Sequence, residues 1–112
     1  MTVEKLAVLN GFEIFNMGNP GQEVRGAYCG DLLSWVMGKA SEGSAWLTIM
    51  SNVNVAAVAV MADISCIIIC EGEKPDKELF DRALSENINL FGSRSSVFEI
   101  AGQLYAQLGD HA

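Results

Sequence analysis

The hexapeptide Ser-Cys-Ile-Ile-Ile-Cys, residues 65–70, constrains this chain more than any other stretch. It is β-branched and apolar at successive positions, so it reads as a strand buried on both faces. Such a strand lies inside a parallel sheet, with helices covering either side. Parallel neighbours need crossover connections, and the flanking sequence supplies them. From about Val24 onward, strand patterns alternate with helix patterns. Residues 23–29, 45–50, 65–70 and 89–93 read as strands, and residues 31–40, 54–63 and 76–87 as the helices between them. A last helix opens at Ser96, where Glu99 stands at capping-box spacing, and carries Val97, Ala101, Leu104, Tyr105 and Leu108 as its stripe. Ahead of this series, residues 2–11 read as a helix capped by Thr2 and ended by Gly11. Residues 12–16 read as a strand, and Gly18, Pro20 and Gly21 make a turn. In the helix 76–87, Leu79, Phe80, Ala83 and Leu84 are expected to face inward. Lys77 with Asp81 and Glu78 with Arg82 are expected as exposed pairs. The expectation is an α/β fold: a single domain over residues 1–112, with a mainly parallel sheet flanked by helices.

Charge and cysteine usage narrow the function classes. The 112 residues carry a net charge of -7. Lys5, Arg25, Lys39, Lys74, Lys77, Arg82 and Arg94 are scattered along the chain, which argues against nucleic acid or an anionic membrane surface as partner. Residues 43–70 hold one charge, Asp63, but Ser51, Asn52, Asn54 and Ser65 interrupt them, so they read as strands and a helix and not as a membrane span. The cysteines are Cys29, Cys66 and Cys70, an odd number, and no secretory pattern opens the sequence. A reduced, cytoplasmic protein is expected. Cys66 and Cys70 face one side of their strand about 13 Å apart, too far for a disulfide or a shared metal. Cys29 reads as a small buried residue.

No catalytic constellation emerges. Gly38-Lys39 is followed by Ala40, and Leu33 stands where a phosphate loop needs Gly. Lys39 suits the carbonyl end of its helix instead. The only histidine, His111, is near the end of the chain, so no nucleophile–His pair can be built. No metal site and no cofactor are expected. Asp31 sits where a helix N-cap belongs. Ligands of open parallel sheets bind beyond the carboxyl ends of strands. The polar residues expected there are Asp31, Asn52, Asn54, Gly72, Ser93, Arg94 and Ser95, with Arg94 as the anion contact. The helix 31–40 is apolar nearly all round. Leu32, Trp35 and Val36 are therefore candidates for a homodimer interface, and Trp46 for the core.

Residues 24–76, with Gly-Asp-Leu-Leu-Ser-Trp-Val-Met-Gly-Lys-Ala (30–40) as the most specific piece, and residues 91–104 resemble stand-alone DRTGG-domain proteins. These small bacterial proteins are often labelled "serine kinase" through their similarity to the N-terminal domain of HPr kinase/phosphorylase. The resemblance implies an α/β fold like that N-terminal domain, without the kinase's phosphate-loop domain. It also implies self-association and a protein partner in redox or phosphotransfer regulation. The namesake Asp-Arg-Thr-Gly-Gly motif would fall near residues 51–57, where this chain has Asn52-Val53-Asn54. The function expected is a non-catalytic regulatory or ligand-sensing module with room for a small-molecule or nucleotide ligand. The alternative is a small enzyme or kinase-like phosphotransfer component using the strand-end cleft.

Overall fold

The elements follow the order α1 (Val3–Asn10), β1 (Glu13–Asn16), β2 (Gly26–Cys29), α2 (Leu33–Lys39), β3 (Ser44–Thr48), α3 (Asn54–Met61), β4 (Cys66–Ile69), α4 (Lys77–Ser85), β5 (Leu90–Gly92) and α5 (Val97–Gln107). The computed structural model describes residues 1–109, so His111 lies outside the described residues. The strands form one sheet in the order β1-β5-β4-β3-β2. β2 through β5 run parallel, and β1 joins β5 antiparallel, so the sheet is mixed.

The position of β4 follows from its sequence. All four of its residues are buried, because helices cover both faces. On one face Cys66, Ile68 and Cys70 meet Leu6, Ile100 and Leu104 from α1 and α5. On the other, Ile67 and Ile69 meet Val36, Val55, Ala59, Leu79 and Ala83 from α2, α3 and α4. The alternation of strand side chains thus divides one run of apolar residues between two cores. Trp46 is fully buried in the second core, and its indole Nε1–H donates to the Gly30 carbonyl at 2.8 Å.

The caps of the first and last helices match their sequence signals. Thr2 accepts from the Lys5 amide, and Gly11 closes α1 with φ 64°. Ser96 and Glu99 form a reciprocal capping box.

Several expectations need correction. The strand expected over 23–29 contracts to Gly26–Cys29, because the preceding residues bond to the amino terminus instead. The Val3 amide donates to the Gln22 carbonyl and the Val24 amide to the Met1 carbonyl. In α4 only Leu79 and Ala83 reach the sheet. Phe80 and Leu84 lie one position further round the helix, where Phe80 is about a third exposed and Leu84 about half. Arg82 pairs with Glu86, not Glu78, while Lys77 and Asp81 pair as expected. Tyr105 in α5 faces outward. Cys29 is exposed, because β2 is an edge strand, whereas Cys66 and Cys70 are buried.

Candidate functional site

The helices leaving the strands define where a crevice can open. α2, α3 and α4 all return across one face. α5 leaves β5 for the other face. The chain therefore leaves the neighbouring strands β4 and β5 toward opposite faces, the position at which open α/β sheets hold ligands beyond their carboxyl ends. Gly72, Ser93, Arg94 and Ser95 stand at this point. The two loops are joined by backbone bonds, from the Glu71 amide to the Ser95 carbonyl and from the Gly72 amide to the Ser93 carbonyl, each 2.9 Å. Glu71 and Gly72 both take positive φ, 63° and 76°, to make that turn. The Ser93 hydroxyl accepts from the Ser95 amide at 3.1 Å. Arg94 is exposed and enters no ion pair among the described residues.

A second group gathers two strands away, about 10 Å at the usual strand spacing. Asp31 is not the N-cap of α2. Leu32 holds that place without a side-chain bond. Instead the Asp31 carboxylate crosses to the end of β3, where Oδ1 accepts from the Thr48 hydroxyl at 2.7 Å and the Ile49 amide at 3.0 Å. Thr48 Oγ1 in turn accepts from the Met50 amide at 3.1 Å. A carboxylate satisfied by three-dimensional neighbours has less need of its own helix amides, which accounts for the displacement. Asn52 Oδ1 accepts from the Asn54 amide at 2.9 Å and shapes the entry to α3, while Asn54 itself is exposed. The Ser51 carbonyl accepts from the Asp76 amide, which links this group to the loop before α4. The sequence reading missed Thr48. Its place at the end of a buried strand, two residues before a loop, was the available signal.

The structure thus brings Gly72, Ser93, Arg94 and Ser95 together, and separately joins Asp31 to the end of β3, ahead of the Asn52–Asn54 turn. No side-chain bond joins the two groups among the described residues.

A polar concavity of about 440 Å³ opens at the opposite end of the sheet, lined among others by Gly18, Asn19, Asp63, Glu86, Asn87 and Asn89. One of its two most buried polar side chains, Asn89, is already spent on structure, and the other, Ser65, donates its hydroxyl to the Glu23 carbonyl at 2.6 Å. Asn89 Nδ2 donates to the Asn19 and Ser65 carbonyls, and Oδ1 accepts from the Asn19 amide. We therefore place the candidate site at the carboxyl ends and not in the hollow opposite.

The proposed interface residues separate by face. Leu32 and Trp35 are 59% and 57% exposed, whereas Val36 is 0% exposed and belongs to the second core. Val36 supports the outward face from behind and does not form part of it. Lys39 Nζ lies 4.8 Å from the centre of the Trp35 ring. The cysteine nearest the Asp31 group, Cys29, has its thiol pKa raised by burial and then by the Asp31 charge, which makes it a poor nucleophile. No group of three or more His, Cys, Asp or Glu is arranged to hold a metal among the described residues. No described helix is long and apolar enough to cross a membrane.

The fold as a whole is similar to that of a solved structure. It is that of the CBS and DRTGG domains of the regulatory region of Clostridium perfringens pyrophosphatase, complexed with its activator, diadenosine tetraphosphate. The chain has a DRTGG-like fold. The two share 20% sequence identity at a TM-score of 0.70, and the match covers 96% of this chain and 46% of the other. The chain thus spans about half the length of that regulatory region. No protein-family model matches the sequence, and no curated relative matches it.

Proposed function

We propose that residues 1–112 form one DRTGG-like domain acting as a non-catalytic regulatory or ligand-sensing module, through self-association and protein partners. The observation that carries this reading is the likeness, over nearly the whole chain, to a regulatory region crystallised with a nucleotide activator. The sequence resemblance to stand-alone DRTGG proteins, and through them to the N-terminal domain of HPr kinase/phosphorylase, supports it independently. The ligand we infer is a small molecule of the adenine-nucleotide class, held at the carboxyl ends of the strands. Arg94 carries the one cation there that is free of an ion pair among the described residues, so it meets the phosphate. Ser93 and Ser95 offer hydroxyls beside it, Gly72 leaves the approach open, and Asn52 and Asn54 bring amide groups from β3's loop. Asp31 positions the rim of that loop through Thr48 and Ile49. The setting is the cytoplasm, and the protein partner belongs to redox or phosphotransfer regulation.

Calorimetric titration with diadenosine tetraphosphate and with ATP tests the ligand. Binding of either is expected, weakened about tenfold by Arg94→Ala through loss of one charge-assisted contact. No heat with either nucleotide would overturn the nucleotide reading. Incubation with labelled ATP, magnesium and candidate acceptor proteins is expected to give no transfer above a boiled control. Transfer that survives further purification would establish the kinase-like alternative.

A further inference from the structure

We propose that two copies of the chain pack α2 against α2 about a two-fold axis, antiparallel, with Trp35 at the centre and Asp31 of each copy facing Lys39 of the partner subunit. This rests on the self-association reading above and supplies its geometry. The outward face of α2 carries Leu32, Trp35, Gly38 and Lys39 within about a third of the helix circumference, at 100° per residue. Leu32 and Trp35 are more than half exposed, and no element of the same chain covers them. Exposed side chains of this size on one face mark a contact surface.

The charges around Trp35 choose the occupant. Asp31 lies four residues before it and Lys39 four residues after it. An antiparallel two-fold contact centred on Trp35 therefore brings each Asp31 opposite a Lys39, twice, and a self-complementary patch is what such an axis requires. Both charges are available. Asp31 uses Oδ1 for Thr48 and Ile49, and Oδ2 makes no hydrogen bond among the described residues. Lys39 enters no ion pair among the described residues, and its Nζ lies over the Trp35 ring. The opposed helix dipoles favour the same orientation. Gly38 is exposed with open space where a Cβ would stand, so the facing helix can approach closely there. For a chain of net charge -7, this complementary pair also offsets the repulsion that a second copy brings. A seven-residue helix is only about 10 Å long. The contact is accordingly small, with a dissociation constant in the micromolar range.

Sedimentation equilibrium from micromolar to hundreds of micromolar protein, with thermal melting of each variant, tests the arrangement. The native chain is expected to be a dimer at the upper end of that range. Lys39→Glu should raise the dissociation constant roughly tenfold, and adding Asp31→Lys should restore it, since two attractive pairs become repulsive and then attractive again. Gly38→Gln should weaken the dimer at least tenfold while the melting temperature of the chain holds or rises. Trp35→Glu should abolish the dimer in a folded protein. If Asp31→Lys fails to fold, Gly38→Gln and Lys39→Glu decide the matter alone. A dimer indifferent to both would overturn this contact and leave self-association standing. A folded double variant that stays weak would overturn the antiparallel pairing. A native chain that is monomeric throughout would overturn self-association itself.

Discussion

Gly18 and Asn89 hold the amino-terminal loop to the sheet by two different means. A Cβ on Gly18 would overlap the backbone of Asn87, so the β1–β2 loop can approach only because that atom is missing. Gly18→Ala should lower stability by about 2 kcal/mol or more in urea unfolding, because backbone must shift to admit the methyl. Asn89 is 2% exposed and spends both ends of its amide on neighbouring backbone. Asn89→Ala strands those buried groups and should cost about 3 kcal/mol by the same measurement, whereas loss at an exposed polar residue such as Asn54 should cost far less. Neither role shows in the sequence. A glycine in Met-Gly-Asn-Pro-Gly looks like an ordinary turn residue, and the partners of Asn89 lie 24 and 70 positions away. Thiol chemistry discriminates at the same scale. A disulfide reagent should modify one cysteine in the native chain, the exposed Cys29, and all three in denaturant. Its native reaction should be slower than that of a free thiol, since burial and Asp31 raise its pKa.

Element existence was legible because each element satisfies a local rule. Among the described residues, the five helices and five strands each overlap a segment that periodicity and turn residues mark, although β2 is shorter than expected and α2 is not capped by Asp31. Ser96 and Glu99 are three residues apart, so their reciprocal bonding could be read directly. Ser96→Ala should cost about 1 kcal/mol in thermal or chemical unfolding. Misreadings arose where a non-local bond outcompeted a local one. Asp31 had the right type and place for an N-cap, yet the end of β3 offers it a hydroxyl and an amide together. Residues 23 and 24 carry strand character but lie beside the amino terminus, with the Val24 amide donating to the Met1 carbonyl. The candidate site was legible only as a set of strand ends. Which ends meet depends on the face taken by each crossover, and no pattern within α5 announces that it crosses to the side of α1. The outward turn of Trp35 was readable as surplus apolar surface. That Val36 fills the core beneath it required the fold.

At the scale of the molecule, one of the two cores, the one under α1 and α5, carries groups that titrate. Burial pushes the Cys66 thiol up to about 12 and the Cys70 thiol up to about 11, from an ordinary value of 9.0. Below about pH 9 both states keep these protons, and the stabilisation is complete. Between pH 9 and about 11 to 12 the unfolded chain releases them while the folded chain retains them, so stability falls as pH rises. Melting temperatures should therefore decline from about pH 9 upward, and Cys66→Ala should make that decline shallower even if it lowers the starting value. The strand order has a consequence for how the chain is made. β1, residues 13–16, has its one neighbour in β5, residues 90–92, and Phe12 stacks on Phe91 with ring centres 6.1 Å apart. During synthesis the first strand leaves the ribosome long before its partner exists. Helix–strand units from β2 to β4 can associate as they emerge, but Phe12 must wait, solvated, until β5 has been made. Of the five described strands β1 is made first and is paired only after β5, so synthesis halted before Leu90 leaves Phe12 without the ring it stacks on.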